Sequence, residues 1–136
     1  MQFRLEAQGL QAIVEKCPIE LLARDEWGGV GDMAQILAAF VSPNEPAVAR
    51  ALKDAGRLLE RGGHNSLMDG YQSCDPGRAY LLAAAIWSAM AGLALTCAEP
   101  PASFEREGQK IRGPGRITSE GLATCLDSTL FLAAAP

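Results

Sequence analysis

Residues 44–63 read Asn-Glu-Pro-Ala-Val-Ala-Arg-Ala-Leu-Lys-Asp-Ala-Gly-Arg-Leu-Leu-Glu-Arg-Gly-Gly, and this stretch decides the fold class. Val48, Ala51, Leu52, Ala55, Leu58 and Leu59 recur at the spacing of one helix face, while Arg50, Lys53, Asp54, Arg57, Glu60 and Arg61 occupy the other. Asn44 suits an N-cap, and Gly62-Gly63 supplies the stop. The pattern predicts an amphipathic helix that must bury one side against a second layer.

The rest of the chain agrees with a helical layer. Alanine accounts for 23 of the 136 residues and aromatic residues for only 6%, which favours close-packed helices over β-sandwiches built from β-branched and aromatic side chains. Upstream, Leu10, Ile13, Val14 and Cys17 recur at helical spacing up to Pro18, and Ile19, Leu21 and Leu22 suggest a further helical turn. Met33, Ile36, Leu37, Phe40 and Val41 form another short stripe. Residues 64–78 read as a connector, and Ala79–Ala98 as a long alanine-rich helix ended by Pro100 and Pro101. From about 100 to 120 neither period is present, which predicts a long irregular loop. Leu122, Leu126, Leu130 and Phe131 then give a C-terminal helical face that bears Cys125 and runs into Ala133-Ala134-Ala135-Pro136. The expectation is a mainly α, compact multi-helix domain spanning 1–136, either a single domain or a fragment of a larger one.

Composition also bounds the partners. Twelve basic against sixteen acidic side chains leave a net charge of −4, which argues against a nucleic-acid binder held by bulk electrostatics. The first residues lack the continuous apolar stretch of a secretory signal, so a cytoplasmic location is expected. Ala79–Ala98 carries no charge and is long enough to span a bilayer, but eight of its twenty residues are alanine, so a buried helix is expected and a membrane span is not. Cys17, Cys74, Cys97 and Cys125 lie far apart with no CxxC pair, which supports reduced thiols and neither a zinc ribbon nor a redox motif. No motif calls for a metal or cofactor.

Chemistry concentrates in Gly121-Leu122-Ala123-Thr124-Cys125-Leu126-Asp127. A thiol near the start of a helix meets backbone N–H groups that favour the thiolate and can stabilise an oxyanion. On chemistry alone a cysteine among Leu and Ala on a helix is more often a small core residue, and Asp127 would oppose a thiolate lying close by. Trp27 and Trp87 read as core plugs or as walls of a substrate groove. Lys110, Arg112 and Arg116 offer a phosphate or nucleic-acid contact, but Gly108–Gly115 lacks the Gly-Lys-Ser/Thr ending of a phosphate loop, and a solvated basic loop paired with acids is the competing reading.

Three blocks in order, Ser103-Phe104-Glu105, Gly108-Gln109-Lys110-Ile111-Arg112 and Gly121–Leu130, resemble the N-terminal region of large bacterial helicase-related proteins. Asp25-Glu26-Trp27-Gly28-Gly29, Leu37–Asn44, Asp69-Gly70-Tyr71-Gln72 and Ala85-Ile86-Trp87 extend the resemblance upstream. Within that family the Cys-Leu-Asp block looks like the nucleophile segment of a transglutaminase-like, papain-like domain. The resemblance implies the helical half of that fold, with Cys125 as nucleophile and the remainder of a multidomain protein as partner. Gln109, sixteen residues upstream, is similar in type to the glutamine that papain-like enzymes place on the oxyanion side. The family continues into strands bearing a Gly-His-Ala-Phe-like block, whereas this sequence stops at Pro136, eleven residues beyond Cys125. His64 is the one histidine and sits in a Gly-rich stretch before the cysteine, where it reads as an exposed loop residue. A Cys–His mechanism needs an imidazole within hydrogen-bond reach, so the chain alone is expected to be inactive. The alternative from another class is a non-enzymatic helical interaction or oligomerisation module, with Cys125 in the core and Ala85, Ala89 and Gly92 in a self-association interface.

Overall fold

A computed structural model describes residues 1–19, 21–31 and 33–135. Within them the chain is mainly α-helical. Two sixteen-residue helices, α1 (Pro46–Arg61) and α2 (Pro76–Ala91), form the central pair. Each has proline in its first turn, where the missing N–H costs nothing. Asp75 caps α2 by accepting a 2.9 Å hydrogen bond from the Gly77 amide. Ala55 and Leu59 of α1 pack against Leu82, Ala85, Ile86 and Ala89 of α2, and the small side chains let the two helices approach closely.

The short helices α3 (Phe104–Glu107), α4 (Pro114–Glu120) and α5 (Cys125–Ala133) complete the helical layer. Phe131 of α5 and Ile117 of α4, both fully buried, meet Val48 of α1 and Met90 of α2. A third apolar group, Trp27, Ile111 and Leu130, ties the N-terminal half to α5.

Among the described residues, six short strands appear where the sequence predicts helix or no element. β1 (Gln2–Leu5) and β2 (Ile13–Lys16) form an antiparallel hairpin with Leu5 opposite Ile13. Residues 10–17 are therefore not helical: the turn at Ala7–Leu10, with Gly9 at φ +81°, reverses the chain, and the β-branched Ile13-Val14 pair extends it. Ile19, Leu21 and Leu22 also lie outside any helix. β3 (Glu26–Trp27) pairs antiparallel with β5 (Gln109–Lys110), and β4 (Thr96–Cys97) pairs parallel with β6 (Leu122–Ala123).

The stripe at 33–41 forms a 3-10 helix, Ala34–Phe40, and residues 44–63 form α1 as the spacing predicts. The N-cap position is Glu45 rather than Asn44, because Pro46 opens the helix. The connector 64–78 contains a 3-10 turn, Gly70–Ser73, and its last residues already belong to α2.

The expected helix Ala79–Ala98 stops at Gly92, not at Pro100. Ala94 takes φ +48°, and the backbone of Thr96 and Ala98 is drawn off by hydrogen bonds to Gly121 O and Ala123 O. No helix among the described residues is long and apolar enough to cross a membrane.

The expected irregular loop at 100–120 is instead built of α3, β5 and α4. These are too short to display a period, and α4 is set by its ends, Pro114 in the first turn and Gly121 in the left-handed conformation at its stop. Leu122 lies in β6, so the C-terminal helix begins only at Cys125, and Pro136 falls outside the described residues.

Candidate functional site

Cys125 is the first residue of α5, and its position follows from its neighbours. β6 runs extended through Ala123, and Thr124, also extended, is the N-cap. The Thr124 hydroxyl accepts from the Asp127 amide at 3.1 Å, and Asp127 Oδ2 accepts from the Thr124 amide at 2.9 Å, a reciprocal capping box. The box fixes the helix start, so the exposed Cys125 side chain leaves a rigid turn.

Asp127 does not stand as a free charge beside the thiol. Fully buried, its carboxylate accepts from the Arg112 amide at 2.9 Å and pairs with the Arg112 guanidinium at 3.3 Å. Arg112 also reaches Glu120 at 3.3 Å, and Arg116 holds Glu120 at 2.6 Å and Asp25 at 3.7 Å. Hydrogen bonding to Arg116 keeps the Glu120 carboxyl below its usual range, and Glu120 in turn raises the Arg116 guanidinium. Arg112 and Arg116 are thus committed to acidic partners, and Lys110 is exposed on β5 opposite Glu26. Of the three, Arg112 and Arg116 are the ones paired with acidic side chains.

Gln109 does approach the cysteine segment. It lies on β5 opposite Trp27, 5% exposed, and its Nε2 is 3.4 Å from the Thr124 hydroxyl. Its Oε1 is buried without a partner among the described residues. A buried amide with one end unsatisfied is costly, so this group is held in place by the fold around it.

Cys125 opens into a cavity of about 330 Å³ lined also by Trp87, Leu95, Thr96, Cys97, Ser128 and Leu132. Trp87 is not the expected core plug: 65% exposed, it stands at the edge of this cavity, whereas Trp27 is buried and donates its indole N–H to Met33 O at 3.0 Å. Cys97 is a second exposed thiol in the same cavity, brought there by the parallel pairing of β4 with β6. Sequence reading missed it because β4 was absorbed into the alanine-rich helix; Gly92 followed by the β-branched Thr96 is the signal that marks the break. All four cysteines are free thiols. His64 is exposed in the turn after α1 and does not line the cavity. Ala85 and Ala89 are buried against α1 within the chain, which leaves the proposed self-association face without its two central residues.

Compared with family models, with curated proteins and with solved structures, the chain matches none.

Proposed function

We propose that this chain carries the nucleophile segment of a transglutaminase-like cysteine acyl-transfer or hydrolase domain, within a helicase-related cytosolic protein, with Cys125 as the nucleophile. The observation that carries the reading is the exposed Cys125 thiol at the first position of a capped helix, opening into a cavity, with the buried Gln109 amide in contact with the neighbouring N-cap Thr124. The leading amides of α5 suit a developing oxyanion.

Gln109 sits on the oxyanion side in this reading. Its Nε2 points to the Thr124 hydroxyl at 3.4 Å, next to Cys125 in the chain. Cys125 lacks an imidazole in its cavity, so the general base is a histidine from outside this chain, and the isolated chain forms an acyl-cysteine without turning over.

Iodoacetamide alkylation at neutral pH, followed by peptide mapping, tests the nucleophile. Cys74, also exposed and outside the cavity, is an internal reference. Cys125 is expected to react several-fold faster than Cys74. Equal rates would sink the assignment.

A further inference from the structure

Cavities on the surface formed by the described residues differ in charge. Those lined by Lys53, Arg57 and Glu60, by Arg24, Asp25 and Glu45, and by Asp54, Arg57 and Arg61 all carry ionic side chains. Among the described residues the Cys125 cavity has none, and neither has a cavity of about 410 Å³ beside it, walled by Leu82, Ile86 and Ala135. The two uncharged cavities share Trp87 and Leu132. They therefore adjoin along the seam between α2 and α5, and each has the size of a small-molecule site.

The seam has a direction. Its Cys125 end carries the hydroxyls of Thr96, Ser128 and Thr129, whereas the far end, among the described residues, is Gly70, Ala79, Leu82, Ala83, Ile86 and Ala135. Polar groups around a thiol at one end, an uncharged apolar trough at the other and an exposed indole between them match a carboxylic acid derivative with an aliphatic tail. They do not match a phosphorylated ligand, a nucleotide or a charged peptide, each of which would require an ionic partner.

We propose that the substrate class of Cys125 is a medium- to long-chain fatty acyl ester or thioester, its carbonyl at Cys125 and its chain lying past Trp87 into the cavity of Leu82 and Ile86. The inference rests on Cys125 being the nucleophile. The thiolate attacks the acyl carbonyl, and the new C–S bond forms as the bond from that carbonyl to the alkoxide or thiolate leaving group breaks. The leaving group departs with the electron pair and receives the proton that the thiol released to water. Acyl-cysteine and a free alcohol or thiol result, with no change of oxidation state.

The full chain is treated with p-nitrophenyl decanoate or p-nitrophenyl acetate, and acylation at Cys125 and Cys74 is followed by peptide mass. The expected result is a decanoate-to-acetate rate ratio several-fold higher at Cys125 than at Cys74, falling towards the Cys74 value in Trp87→Ala. In a second measurement, the unreactive decanamide is titrated into Cys125→Ser and indole emission is recorded; a saturable change absent from Cys125→Ser/Trp87→Phe is expected, since buried Trp27 supplies a constant background. Selective acetylation of Cys125 without preference for decanoate and without a decanamide response would overturn the acyl-chain assignment and leave the nucleophile standing. A decanamide response with Cys125 no faster than Cys74 towards either ester would keep the apolar site and overturn the nucleophile. Failure of both measurements would overturn both.

Discussion

Glu45 and Gly115, seventy positions apart in sequence, are joined directly: Oε2 of the Glu45 carboxylate accepts the Gly115 amide hydrogen at 2.7 Å. Glu45 occupies the N-cap position of α1, yet makes no side-chain cap to its own helix. It lies instead at the first turn of α4, where peptide N–H groups lack intrahelical partners and a carboxylate is favoured. Its oxygens would lie 2.9 and 3.0 Å from a Cβ added at Gly113 or Gly115, so both glycines serve the close approach.

Removing this contact is expected to loosen the join between the first helix and the segment that precedes Cys125. Glu45→Ala should lower stability by about 1–3 kcal/mol, the usual cost of deleting a charged partner from a partly buried donor. Glu45→Gln, which keeps an acceptor oxygen, should lose less. Urea unfolding followed by far-UV circular dichroism measures the difference; identical midpoints for wild type and Glu45→Ala would contradict the role.

Gly108 gives the sharpest steric prediction. It adopts φ +81°, and a Cβ there would stand 1.6 Å from the carbonyl oxygen of Trp27. Gly108→Ala therefore combines backbone strain with a clash that no side-chain rotation relieves. A loss on the order of 3 kcal/mol or more is expected. Since β3 and β5 pair across this point, the emission of buried Trp27 should move towards that of the unfolded chain at lower urea than in wild type. A Gly108→Ala protein as stable as the parent would contradict the placement of β5 against β3.

The legibility of the fold follows from where its information lies. α1 was readable because its apolar face and charged face are both written within its own sixteen residues, and the Gly62-Gly63 stop is local. α2 was readable in type but not in extent. Its alanines carry no contrast between faces, so the break at Gly92 and the turn at Ala94 are concealed in an unbroken apolar run. β4 and β6 are two residues each and exist through pairing with one another, which no local pattern records. The hairpin β1–β2 misleads for another reason: Leu10, Ile13, Val14 and Cys17 fit a helical period, but Gly9 and the chain reversal decide the outcome. For the site, the sequence places Cys125 at or near a helix start but runs the helical face from Leu122, and the Thr124–Asp127 capping box that fixes the start at Cys125 is seen only in the structure. The approach of Gln109, the commitment of Arg112 to Asp127 and the arrival of Cys97 are tertiary events.

Acid should weaken the connection between α2 and the segment before it. The Arg78 side chain donates to Asp69 at 2.8 Å and also reaches Leu67 O. The hydrogen bond from Arg78 holds the Asp69 carboxyl below its ordinary value. A depressed folded-state value means that the stabilisation is fully present above the ordinary aspartate range and is lost as pH falls through the depressed value. Asp69→Asn should therefore be less stable than wild type at neutral pH, with the gap closing in acid. Added salt should narrow the gap as well, to a modest extent, because the Asp69 side chain is partly exposed. Thermal unfolding across a pH series checks this; a gap that is constant with pH would assign the loss to something other than the carboxylate charge.

Asp127 carries the last prediction, because its charge is spent on structure. The carboxylate receives the Thr124 amide, the Arg112 amide and the Arg112 guanidinium while fully buried. Asp127→Asn retains one acceptor oxygen and the side-chain shape, but its NH2 end would face donors in place of an acceptor. Stability should fall by about 1–3 kcal/mol. Arg112 keeps Glu120 as a partner, which limits the cost on its side. The companion variant Thr124→Ala removes the hydroxyl that accepts from the Asp127 amide and should cost about 0.5–2 kcal/mol. Because the two residues form one capping box, the double variant should lose less than the sum of the singles. Urea midpoints of the four proteins in the cycle measure the coupling, and strict additivity would show that the start of α5 does not depend on the reciprocal pair.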